Sequence, residues 1–162
     1  MTAPFVILAC GNPSRGDDAL GPLLLARLDA WLAAEGLAER FELIEDFQFQ
    51  VEHALDLQGR RAALFIDAGT ETPGPYTLLP LAADDTPGHS THAITPVAVL
   101  AVYRRVVGEE APPAHVLCVR GEHFELGEAL SAAAGANLEA AWEKLQEFCH
   151  ELLQSPAASE KR

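Results

Sequence analysis

Acidic side chains gather at two points of this 162-residue chain, and imidazoles at a third. Asp17 and Asp18 close the segment Gly11-Asn12-Pro13-Ser14-Arg15-Gly16-Asp17-Asp18. Asp67 opens Asp67-Ala68-Gly69-Thr70, and His89-Ser90-Thr91-His92 supplies two histidines. Carboxylate oxygen with imidazole nitrogen suits a borderline divalent ion such as nickel or zinc, and three protein ligands leave positions open for a substrate group. Taken singly, each cluster has an ordinary explanation: Asp18 as a helix cap, Asp67 as a strand end beside a glycine turn, the histidines as loop residues. The functional reading rests on all three reaching one edge of the fold.

Other chemistries find less support. The loop after Cys10 could cradle phosphate, but it lacks G-x-G-x-x-G and a Walker lysine and puts two carboxylates where a phosphate would sit. There is no G-x-S-x-G elbow, and no cysteine lies on a loop beside a histidine. An aspartic-protease pair needs two carboxylates in contact, whereas the adjacent Asp17 and Asp18 point in different directions. Gln48, Glu52 and His53 form either a substrate-contacting face or the polar side of a short helix. Glu122 and His123 read as a solvated turn. Cys10, Cys118 and Cys149 sit in apolar segments without metal-ligand spacing, as reduced, buried structural thiols do.

These residues must be positioned by alternating strands and helices. The apolar run Phe5–Cys10 reads as a buried strand that runs into the Gly11-Asn12 turn. Leu20, Leu24, Leu28, Trp31 and Leu32 recur at helical spacing up to Gly36. Pro22 is tolerated only within the first helical turn, which puts the helix start near Ala19 with Asp18 as N-cap. Phe41–Ile44 and Ala62–Ile66 are further strands, separated by a short helix over Gln50–Leu57. Tyr76–Pro80, bounded by prolines, reads as an edge strand. Thr95-Pro96 marks an N-cap with proline at the first helical position, and that helix continues to Gly108. His115–Val119 is a strand, and Leu138, Ala141, Trp142, Leu145, Cys149 and Leu152 mark a closing amphipathic helix. The expected fold is a three-layer α/β domain with a mostly parallel twisted sheet, its ligand site at the carboxyl ends of the strands. Residues 1–153 form one domain and residues 154–162 a flexible tail. If the strands carrying Asp18 and Asp67 are parallel neighbours, the two carboxylates share one crevice, and the histidine loop before Pro96 opens on the same edge.

Composition sets the outer limits. Twenty-four Asp and Glu against eleven Lys and Arg give a formal charge of -13, which repels phosphate backbones and anionic membrane surfaces. Nucleic acid is therefore not an expected partner. No stretch reads as a signal peptide or membrane span, so the expected location is cytoplasmic, without membrane insertion.

The run Ala9-Cys10-Gly11-Asn12-Pro13-Ser14-Arg15-Gly16-Asp17-Asp18-Ala19-Leu20-Gly21-Pro22 resembles the opening signature of hydrogenase maturation proteases. Phe65-Ile66-Asp67-Ala68-Gly69 resembles the second acidic element of that family, and Ser90-Thr91-His92-Ala93-Ile94-Thr95-Pro96 its histidine loop. Val119-Arg120-Gly121 with Phe124–Ser131 is similar to its last segment. Phe47–Asp56 is similar to the branch serving NAD-reducing or bidirectional [NiFe] hydrogenases. The resemblance implies a phosphorylase/hydrolase-like sandwich and an endopeptidase that removes the C-terminal extension of the hydrogenase large-subunit precursor after nickel insertion. The nickel belongs to the substrate, no tightly bound cofactor is expected in the free enzyme, and the chain is expected to act as a monomer. The family's ligands carry over as Asp18, Asp67 and His92, with His89 as a rival for the imidazole role. Many members carry glutamate where this chain has the shorter Asp18. Asp17 is a candidate proton acceptor, and Gly11, Asn12, Gln48 and Glu52 are candidate substrate contacts. Two other readings compete: a peptidyl-tRNA hydrolase, suggested by Gly11-Asn12-Pro13 alone, and a nickel-dependent checkpoint that binds the precursor without cutting it.

Overall fold

The computed structural model describes residues 2–82 and 94–155. Strand β1 (Phe5–Cys10) is buried along its whole length. Such an unbroken apolar run belongs at the middle of a sheet covered on both faces. Its parallel neighbours are β2 (Phe41–Asp46) on one side and β3 (Ala62–Gly69) on the other, and β5 (Ala114–Arg120) pairs in parallel with β3. Strand β4 (Tyr76–Leu81) closes the sheet as an antiparallel edge, giving the order β2-β1-β3-β5-β4. Pro80 is tolerated there because an edge strand has one row of backbone groups unpaired.

Strand alternation sorts the side chains into two cores. Phe5, Ile7, Ala9, Leu64, Ile66, Leu117 and Val119 face helices α1 (Leu20–Ala34) and α3 (Ala132–Gln154). Val6, Leu8, Cys10, Ala63 and Phe65 face α2 (Pro96–Val107) and a 3-10 helix over Val51–Leu57. The result is the expected three-layer sandwich. The connection from β1 to β2 runs through α1 on one face, and that from β2 to β3 passes the 3-10 helix on the other. The strand order therefore reverses between β1 and β3, and such a reversal opens a crevice at the carboxyl ends. The register Ala9↔Ile66 sets the end of β1 beside Asp67.

Several boundaries differ from expectation. Asp18 is not the N-cap of α1. A 3-10 turn over Gly16–Ala19 leads into the helix, Ala19 takes the cap position without a side-chain bond, and the Asp18 carboxylate turns back to the loop. Strand β3 extends through Gly69, so Asp67 lies within the strand. Helix α3 starts earlier than the apolar spacing indicated, with the Ser131 side chain accepting from the Ala134 N–H at 3.1 Å. Gln154 is still helical and Ser155 caps the helix; residues 156–162 of the expected tail lie outside the described residues. Gly36 (φ +73°) and Gly108 (φ +82°) end α1 and α2 in the left-handed conformation, as their positions foretold.

Candidate functional site

The segment after β1 folds around two close approaches. Gly11 has φ +148°, and a Cβ there would lie 2.0 Å from the Asp18 carbonyl oxygen. Gly21, at the start of α1, lets the helix pack on the strand end, since its Cβ would lie 2.5 Å from the Cys10 carbonyl oxygen. The Gly11 N–H donates to the Asp46 carbonyl at 3.1 Å, tying the loop to β2. The Asn12 N–H donates to Asp18 Oδ2 at 2.8 Å, and Asn12 Oδ1 accepts from the Ser14 N–H at 2.9 Å. Gly11 and Asn12 thus shape the turn that holds the Asp18 carboxylate in place.

Asp17 takes the opposite direction. It is 0 % exposed, and its oxygens accept from the N–H groups of Glu122 (2.7 Å), His123 (3.0 Å) and Ser131 (2.7 Å) and from the Ser131 hydroxyl (2.7 Å). Burial alone would push its carboxyl up, but these donors outweigh burial and hold it below the usual carboxylate range. A carboxylate so occupied and so far from solvent is not available as a proton acceptor, which corrects the role expected for Asp17. The tight fit continues at Gly121, where a Cβ would lie 2.8 Å from Asp17 Cβ and 2.7 Å from the Phe124 ring. Neither Ser131 nor Gly121 stood out in the sequence as partners of Asp17. The contacts span more than a hundred positions, and no local pattern announces them.

Asp67 lies close enough to Asp18 to feel its charge. Burial raises the Asp67 carboxyl above its ordinary range; the Ala68 N–H (2.8 Å) and the Cys10 thiol offset this in part, and the negative charge of Asp18 adds to it. Cys10 is a further residue whose place the sequence left unread. It is buried, as a structural thiol should be, yet it ends β1 on the face that carries Asp67. Burial first, then the Asp67 and Asp18 carboxylates, pushes its thiol up, so it stays protonated and hydrogen bonds to Asp67. Strand parity was the available signal, because Val6, Leu8 and Cys10 share one face. Cys118, paired with Asp67 across β3 and β5, turns its sulfur to the Thr72 hydroxyl at 3.0 Å.

Among the other candidates, Gln48 and Glu52 are exposed beside the carboxyl end of β2. His53 is buried: its Nδ1 accepts from the Gln50 N–H at 2.9 Å and its Nε2 lies 3.4 Å from Asp46 Oδ2. It closes the start of the 3-10 helix and is no part of an exposed face. Glu122 and His123 have exposed side chains, as a solvated turn would, while their backbone N–H groups serve Asp17. His89 and His92 lie outside the described residues. Among the described residues no three His, Cys, Asp or Glu side chains close on a point a metal could occupy. No helix among them is long and apolar enough to cross a membrane.

No protein-family model and no curated protein matches the sequence. Solved structures do share its fold. The hydrogenase maturating endopeptidase HybD from E. coli matches with a TM-score of 0.70 at 20% identity, covering 91% of this chain and 92% of its own. The [NiFe] hydrogenase maturation protease HycI from Thermococcus kodakarensis KOD1 gives 0.64 at 21% identity over 90% and 91%. A hydrogenase 2 maturation peptidase from Thaumarchaeota archaeon SCGC_AB-539-E09 gives 0.62 at 16% identity over 90% and 97%. The chain therefore has, over nearly its whole length, the α/β fold of these maturation peptidases.

Proposed function

We propose that this chain is an endopeptidase that removes the C-terminal extension of a [NiFe]-hydrogenase large-subunit precursor once nickel has been inserted. The observation that carries the reading is the pairing of Asp18 with Asp67 at the strand-order reversal, in a fold shared with structures described as hydrogenase maturation peptidases. In this reading Asp18, Asp67 and His92, or His89 in its place, supply oxygen and nitrogen donors to the nickel of the substrate. The ion arrives with the precursor, and docking it in the crevice sets the scissile peptide against the protein. Nickel would supply the polarisation of a carbonyl or the acidification of a bound water. Because Asp17 is fully engaged within the fold, the proton is taken by another group.

Asp67 suits this task because its ionised form is disfavoured in the free protein. A dication that replaces lost hydration by direct bonds relieves that cost, so binding energy is available from the site itself. In this reading Gln48 and Glu52, exposed beside β2, contact the precursor, and the resemblance carried by Phe47–Asp56 favours a substrate of the NAD-reducing or bidirectional class. The protein works as a cytoplasmic monomer with no resident cofactor.

The test is to incubate the purified protein with nickel-loaded and nickel-free precursor and to measure the mass of each product. The expected result is trimming of the loaded form alone. Equal trimming of both sinks nickel gating, and nickel-dependent complex formation without a mass change favours a non-catalytic checkpoint. Undiminished cleavage by Asp18→Ala or His92→Ala removes that residue from the site.

A further inference from the structure

We infer that Asp17 is a positioning residue: its buried carboxylate bolts the loop that follows β1 to the segment before α3, and thereby fixes the direction in which Asp18 enters the crevice. The inference rests on the proposed role of Asp18.

Asp17 accepts four hydrogen bonds, three from backbone N–H groups and one from a hydroxyl, all from residues 105 to 114 positions away. The backbone on either side is stitched to the same segment. Gly16 N–H donates to the Glu128 carbonyl at 3.1 Å, Asp17 N–H to the His123 carbonyl at 2.7 Å, and Gly127 N–H to the Ser14 carbonyl at 2.7 Å. Gly16 has φ +56° and would place a Cβ 2.4 Å from the His123 carbonyl oxygen, so the two backbones touch with no room for a side chain. The seam then reaches the other carboxylate strand, because Gly121 N–H donates to the Gly69 carbonyl, two residues beyond Asp67, at 3.1 Å.

This arrangement explains why two adjacent acids serve different purposes. Consecutive side chains in the tight 3-10 turn diverge, so a residue locked inward at 17 forces residue 18 outward. Besides the 3.1 Å bond from its backbone N–H to the Arg15 carbonyl within the turn, the Asp18 carboxylate has one described hydrogen bond, the 2.8 Å bond from the Asn12 N–H, and that bond reports its position. An ionised carboxylate is the right group for the bolt, since four donors converge on two oxygens. An amide would set its own NH₂ against some of those donors.

The experiment measures amide hydrogen exchange by NMR on the full chain. In Asp17→Asn, exchange of the Asn12 amide should accelerate about tenfold or more beyond any acceleration of the Ile7, Leu8, Leu64 and Phe65 amides, which reports the loss of global stability. Equal acceleration at Asn12 and in the strands would mean that Asp17 contributes stability alone, and unchanged exchange at Asn12 would mean that it does not hold Asp18; either result overturns the inference. Should Asp17→Asn fail to fold, Ser131→Ala and Ser131→Thr carry the same test. The alanine variant should loosen Asn12 and the threonine variant, which keeps the hydroxyl, should restore it. Loss of Asn12 protection in both leaves the hydroxyl without the assigned effect and overturns the inference. Precursor cleavage by the same variants separates the two readings. A loosened Asn12 with undiminished cleavage supports the positioning role and rejects Asp18 as a working residue.

Discussion

Gly11→Ala is the substitution whose effect follows most directly from the geometry. The new methyl would lie 2.0 Å from the Asp18 carbonyl oxygen, and real Cβ atoms essentially never come within 3.0 Å of such an atom. The turn must therefore open by about 1 Å, taken as the difference between those distances. Three costs follow. A non-glycine residue at the φ of +148° recorded for Gly11 is strained by about 1–3 kcal/mol. Forcing a methyl into closely packed surroundings costs about 1–3 kcal/mol more. Loss of the Asn12 N–H bond to Asp18 removes about 1 kcal/mol. The total, about 3–7 kcal/mol, is a large share of the roughly 5–15 kcal/mol that stabilises a domain. At about 2–4 °C per kcal/mol for a chain of this size, the melting temperature should fall by at least about 6 °C. The assay is thermal unfolding followed by circular dichroism, with hydrogen exchange at Asn12 on the folded variant. A variant that melts within about 2 °C of the wild type and keeps its Asn12 amide protected would refute the claim that Gly11 is required by close approach.

Other outcomes follow from the same seam and crevice. Asp67→Asn should stabilise the free protein while abolishing cleavage, because the wild-type fold disfavours ionised Asp67. Its folded pKa lies above the unfolded one, so the wild type loses stability as pH rises through the interval between them, and the variant's advantage in urea midpoint should grow over that interval and persist at neutral pH. A midpoint lowered at neutral pH would contradict this. Asp17 behaves in the opposite sense: its folded pKa is depressed, so its contribution is present above the unfolded value and is lost as pH falls through the folded one. Asp17→Asn should accordingly be less stable at neutral pH, and its acid unfolding limb shallower than that of the wild type. Gly121→Ala should displace Asp17 or Phe124 and cost about 1–3 kcal/mol in urea unfolding, whereas Gly59→Ala, with open space around its Cβ, should pay only for its positive φ.

The division of labour between chain and fold is visible at particular residues. Among the described residues, periodicity and punctuation located each strand, the start of α2 and the ends of α1 and α2, because the unbroken apolar run of β1, the Thr95-Pro96 cap and Gly36 and Gly108 act through local sterics and hydrogen bonding. The expectation that the segments carrying Asp18 and Asp67 reach one sheet edge came from topology, since β1 and β3 pair in parallel and parallel strands end at the same edge. The start of α3 was harder to read, because residues 132–136 are all alanine or glycine and show no amphipathic contrast.

What the sequence determined by itself, then, was the α/β architecture, the three-layer arrangement and two acidic elements at the carboxyl ends of β1 and β3. The tertiary structure decided what each acid does. Asp17 and Asp18 are the same residue type at neighbouring positions, yet the carboxylate of one meets four donors brought from a distant segment and is fully buried, while that of the other meets a single turn amide and is only partly buried. Cys10 likewise changed from an inert core thiol to the neighbour of Asp67 only when β1 and β3 were set in register. Role depends on what surrounds a charge, and surroundings assembled from contacts about a hundred residues apart leave no local pattern in the chain.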